Sequence, residues 1–258
     1  MPETGTAAAA IKLLGCFELT TAGRPTRLPF QAQRMVAFVV INGVPVDRHQ
    51  LADRLWPFAK PMRAQSNLRT ALWRIRRDAP QVLRADRSTV GLSGDVAVDY
   101  LDLLDRVVGV DEVSIPDLLF RLRHDLLPGW DEEWLMIERE RARQMRVRRL
   151  EELSRWCRAG GDIHNAICAA YGAISVEPLR ESAHLALIEA HMADGNRAEA
   201  VRQLGRTTAL LQTELGIEPS AMFRERVGAM NLPVLAGAPG AGFRRDDRLV
   251  ATADHRFR

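Results

Sequence analysis

The four residues Ala159-Gly160-Gly161-Asp162 recur as Ala193-Asp194-Gly195-Asn196, 34 residues further along the chain. At the same offset Leu153, Ala166 and Ile167 fall on Leu187, Ala200 and Val201. A period of this length predicts a unit of helix, glycine-containing turn and helix, stacked on its own copy so that each covers the face the other leaves open. Small residues (Ala166, Ala169 and Ala170 in one copy, Ala198 and Ala200 in the next) let paired helices approach closely. Two copies are a short stack, so helices before and after must cap it.

The spacing is that of tetratricopeptide repeats, and helical patterning fills the chain from Asp95 to Met230. Tyr100–Val108 and Ile115–Arg123 read as short helices, and Leu127-Pro128-Gly129-Trp130 breaks the chain. Asp131–Ala159 reads as one long amphipathic helix or two in sequence, with Trp134, Ile137, Met145, Leu150 and Leu153 as core positions. Asp131, Glu132 and Glu133 then read as acidic residues favoured at a helix N-terminus by its dipole.

The first third has a different texture. Ile11–Thr20 alternates as a strand with one buried face, Ala22-Gly23-Arg24-Pro25 is a turn, and Thr26–Leu28 returns as a short strand. Gln31–Asn42 reads as a buried helix, with a strand left open by its β-branched residues. Asp47 is an N-cap for a helix that Pro57 stops, with Leu51, Leu55 and Trp56 on its apolar side. Ala64–Arg77 is the third helix, and Val82–Arg84 with Thr89–Leu92 form a hairpin. The expected organisation is a disordered N-terminus (1–10), a winged helix-turn-helix DNA-binding domain (11–94), a helical repeat domain (95–230) and a flexible tail (231–258). The fold class is mainly α with a small β component.

Charge is divided along the same line. From Ile11 to Gly94 there are 14 Lys/Arg against 5 Asp/Glu, whereas Asp95 to Arg258 has 22 against 27. The basic part therefore meets a polyanion and the acidic part does not. On a helical wheel Leu68, Ala71, Leu72 and Ile75 share the inward side of Ala64–Arg77. The outward side collects Arg63, Ser66, Arg69, Thr70, Trp73, Arg74, Arg76 and Arg77. No acidic residue precedes Asp78 to neutralise these arginines within the helix. A major groove accepts such a helix, arginine can read guanine bidentately, and further arginines can hold phosphates. Trp73 either wedges against the hairpin or touches DNA. In the hairpin Arg84 and Arg87 are placed as a wing that approaches backbone or minor groove. The connection from Pro57 to Met62 is longer than the simplest helix-turn-helix turn and offers a polymerase-facing loop.

Other classes fit less well. Cys157, His164 and Cys168 have no usual zinc spacing, no nucleophile, base and oxyanion donor assemble, and the expectation is neither catalytic residues nor metal nor cofactor. Cys16, Cys157 and Cys168 are expected as reduced core thiols, and His184 and His191 as interfacial or exposed. No apolar run reaches the ~18–20 residues of a bilayer span, and the first ten residues lack a signal-peptide pattern. A cytoplasmic, nucleoid-associated protein follows. The alternative reading is a repeat-domain adaptor that binds protein, with a basic N-terminal domain for acidic partners; an RNA binder lacks its stacking aromatics.

Six segments in order resemble one known family. LLGCFEL, QAQRMVAFVV, RHQLADRLWP and NLRTALWRIRR are similar to the DNA-binding part of the Streptomyces antibiotic regulatory proteins. LLPGWDEEWLMIERERARQMRVRRLEEL and LGIEPSAMFRER resemble the bacterial transcriptional activator domain that follows it in that family. The resemblance spans Ile11 to Val227. It implies an OmpR-like (response-regulator-type) winged helix-turn-helix on a tetratricopeptide-like domain. It further implies an activator of a secondary-metabolite gene cluster that binds promoter direct repeats as a homodimer and engages RNA polymerase holoenzyme. Ser66–Arg77 becomes the recognition helix and Arg84–Thr89 the wing, although Ala85-Asp86-Arg87-Ser88-Thr89 lacks a glycine-rich tip. No phosphate loop of the GxxxxGK[ST] kind is present, as in the small members.

Overall fold

The computed structural model describes residues 8–105 and 114–232, within which seven strands and ten helices run in order. β1 (Ala9–Lys12), β2 (Glu18–Thr21) and β3 (Arg24–Pro25) precede α1 (Phe30–Asn42). β4 (Val46–Asp47) leads into α2 (Arg48–Leu55) and α3 (Pro61–Asp78). β5 (Leu83–Ala85), β6 (Thr89–Leu92) and β7 (Val96–Val98) follow. The rest is helical: α4 (Asp99–Asp105), α5 (Ile115–Leu122), α6 (Leu135–Ala159), α7 (Ile163–Val176), α8 (Glu181–Ala193), α9 (Arg197–Leu215) and α10 (Ala221–Ala229). The end of the helix expected over Tyr100–Val108, from Arg106 to Val108, lies outside the described residues, as does the tail from Pro233 onward.

The single strand expected over Ile11–Thr20 is two strands. The alternation runs unbroken through a turn, where Gly15 has φ 91° and the ring of His124 stands 3.1 Å from where a Cβ would sit. β1 and β2 pair antiparallel, with Ile11 opposite Leu19. Ala9 and Ala10, expected in a disordered N-terminus, are strand residues. The expected strand at Thr26–Leu28 is shifted to β3. β7 lies beyond the Gly94 boundary and completes the first sheet, in the order β3-β2-β1-β7, by pairing parallel to β1.

α1 is helical despite its β-branched Val36, Val39, Val40 and Ile41, because nearly every turn is buried. Met35, Val36, Val39 and Val40 have almost no exposure, and burial of such side chains, at about 1.5–3 kcal/mol each, outweighs the few tenths of a kcal/mol of lost propensity. α2 begins as expected, the Asp47 carboxylate accepting the amides of His49 (2.8 Å) and Gln50 (3.2 Å). α3 packs on both α1 and α2 through Ala64, Leu68, Ala71, Leu72 and Ile75.

The 34-residue repeat has a chemical meaning at its turns. Gly161 (φ 81°) and Gly195 (φ 72°) occupy the left-handed conformation that ends α6 and α8. The next residue, Asp162 or Asn196, caps the following helix through the amides of Asn165 and Glu199, each at 3.2 Å. α6 pairs with α7 and α8 with α9, and α10 closes the stack with Phe223 and Val227 against Ile188 and Leu204. α6 starts at Leu135 rather than Asp131, and Ile137 faces solvent. Of the two placements open to His184 and His191, interfacial and exposed, burial excludes the second, and His184 lies between α8 and α9, bridging Pro178 O (2.7 Å) and Gln203 Nε2 (2.8 Å).

One core runs through both parts of the chain, from Ile11 and Met35 to Leu150 and Cys157. Beyond β1 the backbone continues into the helical part: Leu127 N–H donates to Leu13 O (2.9 Å) and Gly15 N–H to Asp125 O (2.8 Å). The Asp99 carboxylate accepts the amides of Leu13 (2.8 Å) and Leu14 (3.1 Å). A chain cut after Gly94 therefore loses β7 and Asp99 and uncovers the core. We expect residues 8–94 alone to show no cooperative thermal transition by circular dichroism, and the full chain to melt in one step. A sharp melt of the truncated fragment would contradict the shared core.

Candidate nucleic-acid interface

α3 extends from Pro61, which sits at the first helical position, where its missing N–H is not needed. Its outward side carries the residues expected there. Arg63, Ser66, Arg69, Thr70, Trp73, Arg76 and Arg77 are exposed, and Arg74 is half-buried. The hydroxyl of Thr70 is turned back to Ser66 O (3.0 Å).

The arginines are not all unpartnered, as the sequence had indicated. Arg77 forks onto Asp78 at 2.6 and 2.9 Å, which lowers the Asp78 carboxyl below its usual range. Arg76 donates to Ala85 O (2.9 Å) and so ties the end of α3 to the wing. Arg74 and Arg77 lie over the Trp73 ring at 5.1 and 5.0 Å from its centre. Trp73 itself is 55% exposed, so it holds two guanidiniums at the surface. Arg63 and Arg69, on the first half of the helix, have no side-chain partner among the described residues. Of the arginines on the face, only Arg77 is paired with a carboxylate among the described residues.

The wing is a three-stranded sheet in the order β4-β6-β5, one strand more than the expected hairpin. Arg84 and Arg87 are exposed on it. Its tip needs no glycine because Asp86 makes the turn. The Asp86 carboxylate accepts the amides of Thr89 (2.6 Å) and Ser88 (2.7 Å) and both hydroxyls. Arg48, at the start of α2, donates to Asp86 O (3.0 Å) and its amide to Ser88 O (2.9 Å), which ties wing to helix. Phe58, in the turn between α2 and α3, is fully exposed, and Met62, in the first turn of α3, is largely so.

The remaining candidates come apart. Cys157 is buried, and burial pushes its thiol up to about 11. Cys168 and His164 are neighbours at 3.8 Å on α7, and among the described residues no group of three His, Cys, Asp or Glu is placed to hold a metal ion. Cys16 is exposed rather than core, its thiol donating to Glu18 (3.4 Å). Among the described residues no helix is long and apolar enough to cross a membrane.

What sequence reasoning missed is the support behind this face. Glu132, read as a helix-terminal charge, precedes α6 and forms an ion pair with Arg34 of α1. Trp130 contacts the rings of Phe17 and Phe30, and Trp134 that of Phe38. Arg139 and Arg146, in a run of charges that reads as solvated, point inward. Arg139 donates to Leu126 O (3.0 Å) and Trp130 O (2.7 Å), and Arg146 to Leu122 O (2.9 Å) and Arg123 O (3.1 Å). Nothing local marks them, because most of their acceptors are backbone carbonyls.

The chain thus joins a winged helix-turn-helix to a helical repeat unit. Residues 123–229, under half of the chain, match the family model of the bacterial transcriptional activator domain. Among solved structures the fold is similar to that of Mycobacterium tuberculosis EmbR, solved in complex with a low-affinity phosphopeptide. The TM-score is 0.65 at 19% identity, over 88% of this chain and 66% of that one, so this chain spans just under two thirds of the other's length. No curated protein matches the chain. The match lies in the helical part of the chain, and the structural likeness shows a shared fold.

Because Asp86 is held at about 2, below its ordinary 3.8, by the Thr89 and Ser88 amides, its turn is favoured above the ordinary value and lost as pH falls through the lower one. We expect the amide proton resonances of Ser88 and Thr89 to titrate with a midpoint near 2. A midpoint near 3.8 would mean that the carboxylate does not hold the tip.

Proposed function

We propose that the chain is a sequence-specific transcriptional activator that reads promoter DNA with α3. The observation that carries this is the solvent-facing side of α3, where Arg63 and Arg69 stand without partners beside Ser66 and Thr70. Uncompensated guanidiniums on a convex helix repel one another, and a phosphate-lined groove relieves that repulsion while offering guanine edges to the fork. Arg74 and Arg77, stacked on Trp73, and Arg76 hold the backbone on either side, with Arg84 and Arg87 of the wing beside them.

The homodimer on direct repeats, the contact with RNA polymerase and the control of a secondary-metabolite cluster rest on the family resemblance. The exposed Phe58 in the turn between α2 and α3 and Met62 at the start of α3 support a protein contact there, since large apolar side chains in water are costly without a partner.

The experiment is duplex binding by the full chain as a function of salt. We expect log affinity to fall steeply and linearly with log salt. Arg69→Ala should flatten the slope by about one, the mark of one lost phosphate contact. No duplex binding at ~50 mM salt, where phosphate contacts are strongest, would overturn the reading and leave the adaptor function, with the repeat stack binding protein.

A further inference from the structure

The guanidinium of Arg34 joins three elements at once. Its Nη2 donates to Leu55 O (2.8 Å), the last carbonyl of α2 and one with no partner inside that helix. The same Nη2 donates to Glu132 Oε2 (2.8 Å), and Nε pairs with Oε1 of that carboxylate, from the segment that leads into α6. Its Nη1 donates to Gln31 Oε1 (2.8 Å), which also accepts Trp56 Nε1 (3.0 Å). On the other side Glu132 Oε2 accepts Trp134 Nε1 (2.8 Å), and Trp134 meets Phe38 of α1 edge-on. The Arg34 and Glu132 side chains are only 12% and 10% exposed, so water does not screen the pair as it does a surface ion pair.

We propose that Arg34 is a positioning residue through which the helical domain fixes the α2–α3 unit, and hence the direction in which the reading face of α3 points. The inference rests on the DNA-reading role of α3 for its consequence, though not for its geometry. α3 packs directly on α2, so an element that holds the end of α2 holds α3. A cation at the C-terminus of α2 is favoured by the helix dipole, and the fork of arginine lets one side chain serve Glu132 and Leu55 O together. A lysine keeps the charge but cannot do both. Glu132 lies 98 residues from Arg34 in sequence. The helical domain thus contributes a residue to the rear of the reading head.

Two conservative variants of the full chain test this. Glu132→Gln removes the charge on the helical side at constant shape, and Arg34→Lys removes the fork. With protein alone, hydrogen–deuterium exchange should show the amides of α2 and α3 exchanging faster in both variants. The expected increase is about tenfold, the order set by losing one charge-assisted hydrogen bond, while α7 and α8 keep their wild-type rates. Acceleration confined to residues 130–135 would overturn the proposal. Uniform acceleration through the repeats as well would mark a merely structural pair and overturn it too. On a mixed-sequence duplex both variants should keep the wild-type salt slope, since no phosphate-facing arginine is touched, but bind about tenfold more weakly. If the wild-type chain binds no duplex, the DNA reading fails, and the exchange experiment still decides the role of Arg34.

Discussion

Two backbone amides, those of Leu13 and Leu14, decide how this chain holds together. They lie where β1 leaves its sheet, in the interior, and a buried amide without a partner costs about 1–3 kcal/mol. Asp99 answers both with one carboxylate, from the residue that follows β7. Burial raises the acid's pKa above its ordinary value, against the lowering effect of the Leu13 and Leu14 amides. The arrangement forces β7 alongside β1 and starts α4 at the sheet edge. The same stretch then bonds to Asp125 and Leu127 of the helical part. The chain's two halves are therefore joined through backbone as well as side chains, and the core between them is continuous.

That continuity gives the candidate site its character. A recognition helix on a free module would be oriented only by its own small core. Here α1 is covered by Trp130 and Trp134 through Phe30 and Phe38, and Arg34 is held by Glu132. α3 therefore projects from a body that includes the repeat stack. Its outward face remains free of that body, with Arg63 and Arg69 unpartnered in its first half and the Trp73 cluster and the Arg76 tie to the wing closer to its C-terminal end.

Much of this was legible in the residues. The outward face of α3 could be read because a 3.6-residue period and the lack of acids before Asp78 are local facts. The repeat could be read because its glycine and capping residue are chemical requirements of each turn, met twice at one spacing. The expected strand over Ile11–Thr20 failed because alternation says nothing about direction: a turn at Gly15 preserves the pattern while reversing the chain. Cys16 was assigned to the core on composition, yet it sits on that turn. The wing tip looked deficient only because glycine was expected where Asp86 supplies the amide acceptor. Least legible were the arginines. Arg34, Arg139 and Arg146 carry no local mark that separates them from solvated charges, because their partners are distant in sequence or are backbone carbonyls, which every residue has.

The claim on which the account turns is that α3 reads DNA sequence and does not merely attract polyanions. Protection mapping of genomic DNA by the purified full chain measures this directly. The account predicts discrete protected sequences approached from the major groove, lost when Arg63 and Arg69 are both replaced by alanine in a chain that melts like wild type. Protection spread evenly over unrelated sequence, or unchanged by the double substitution, would contradict it.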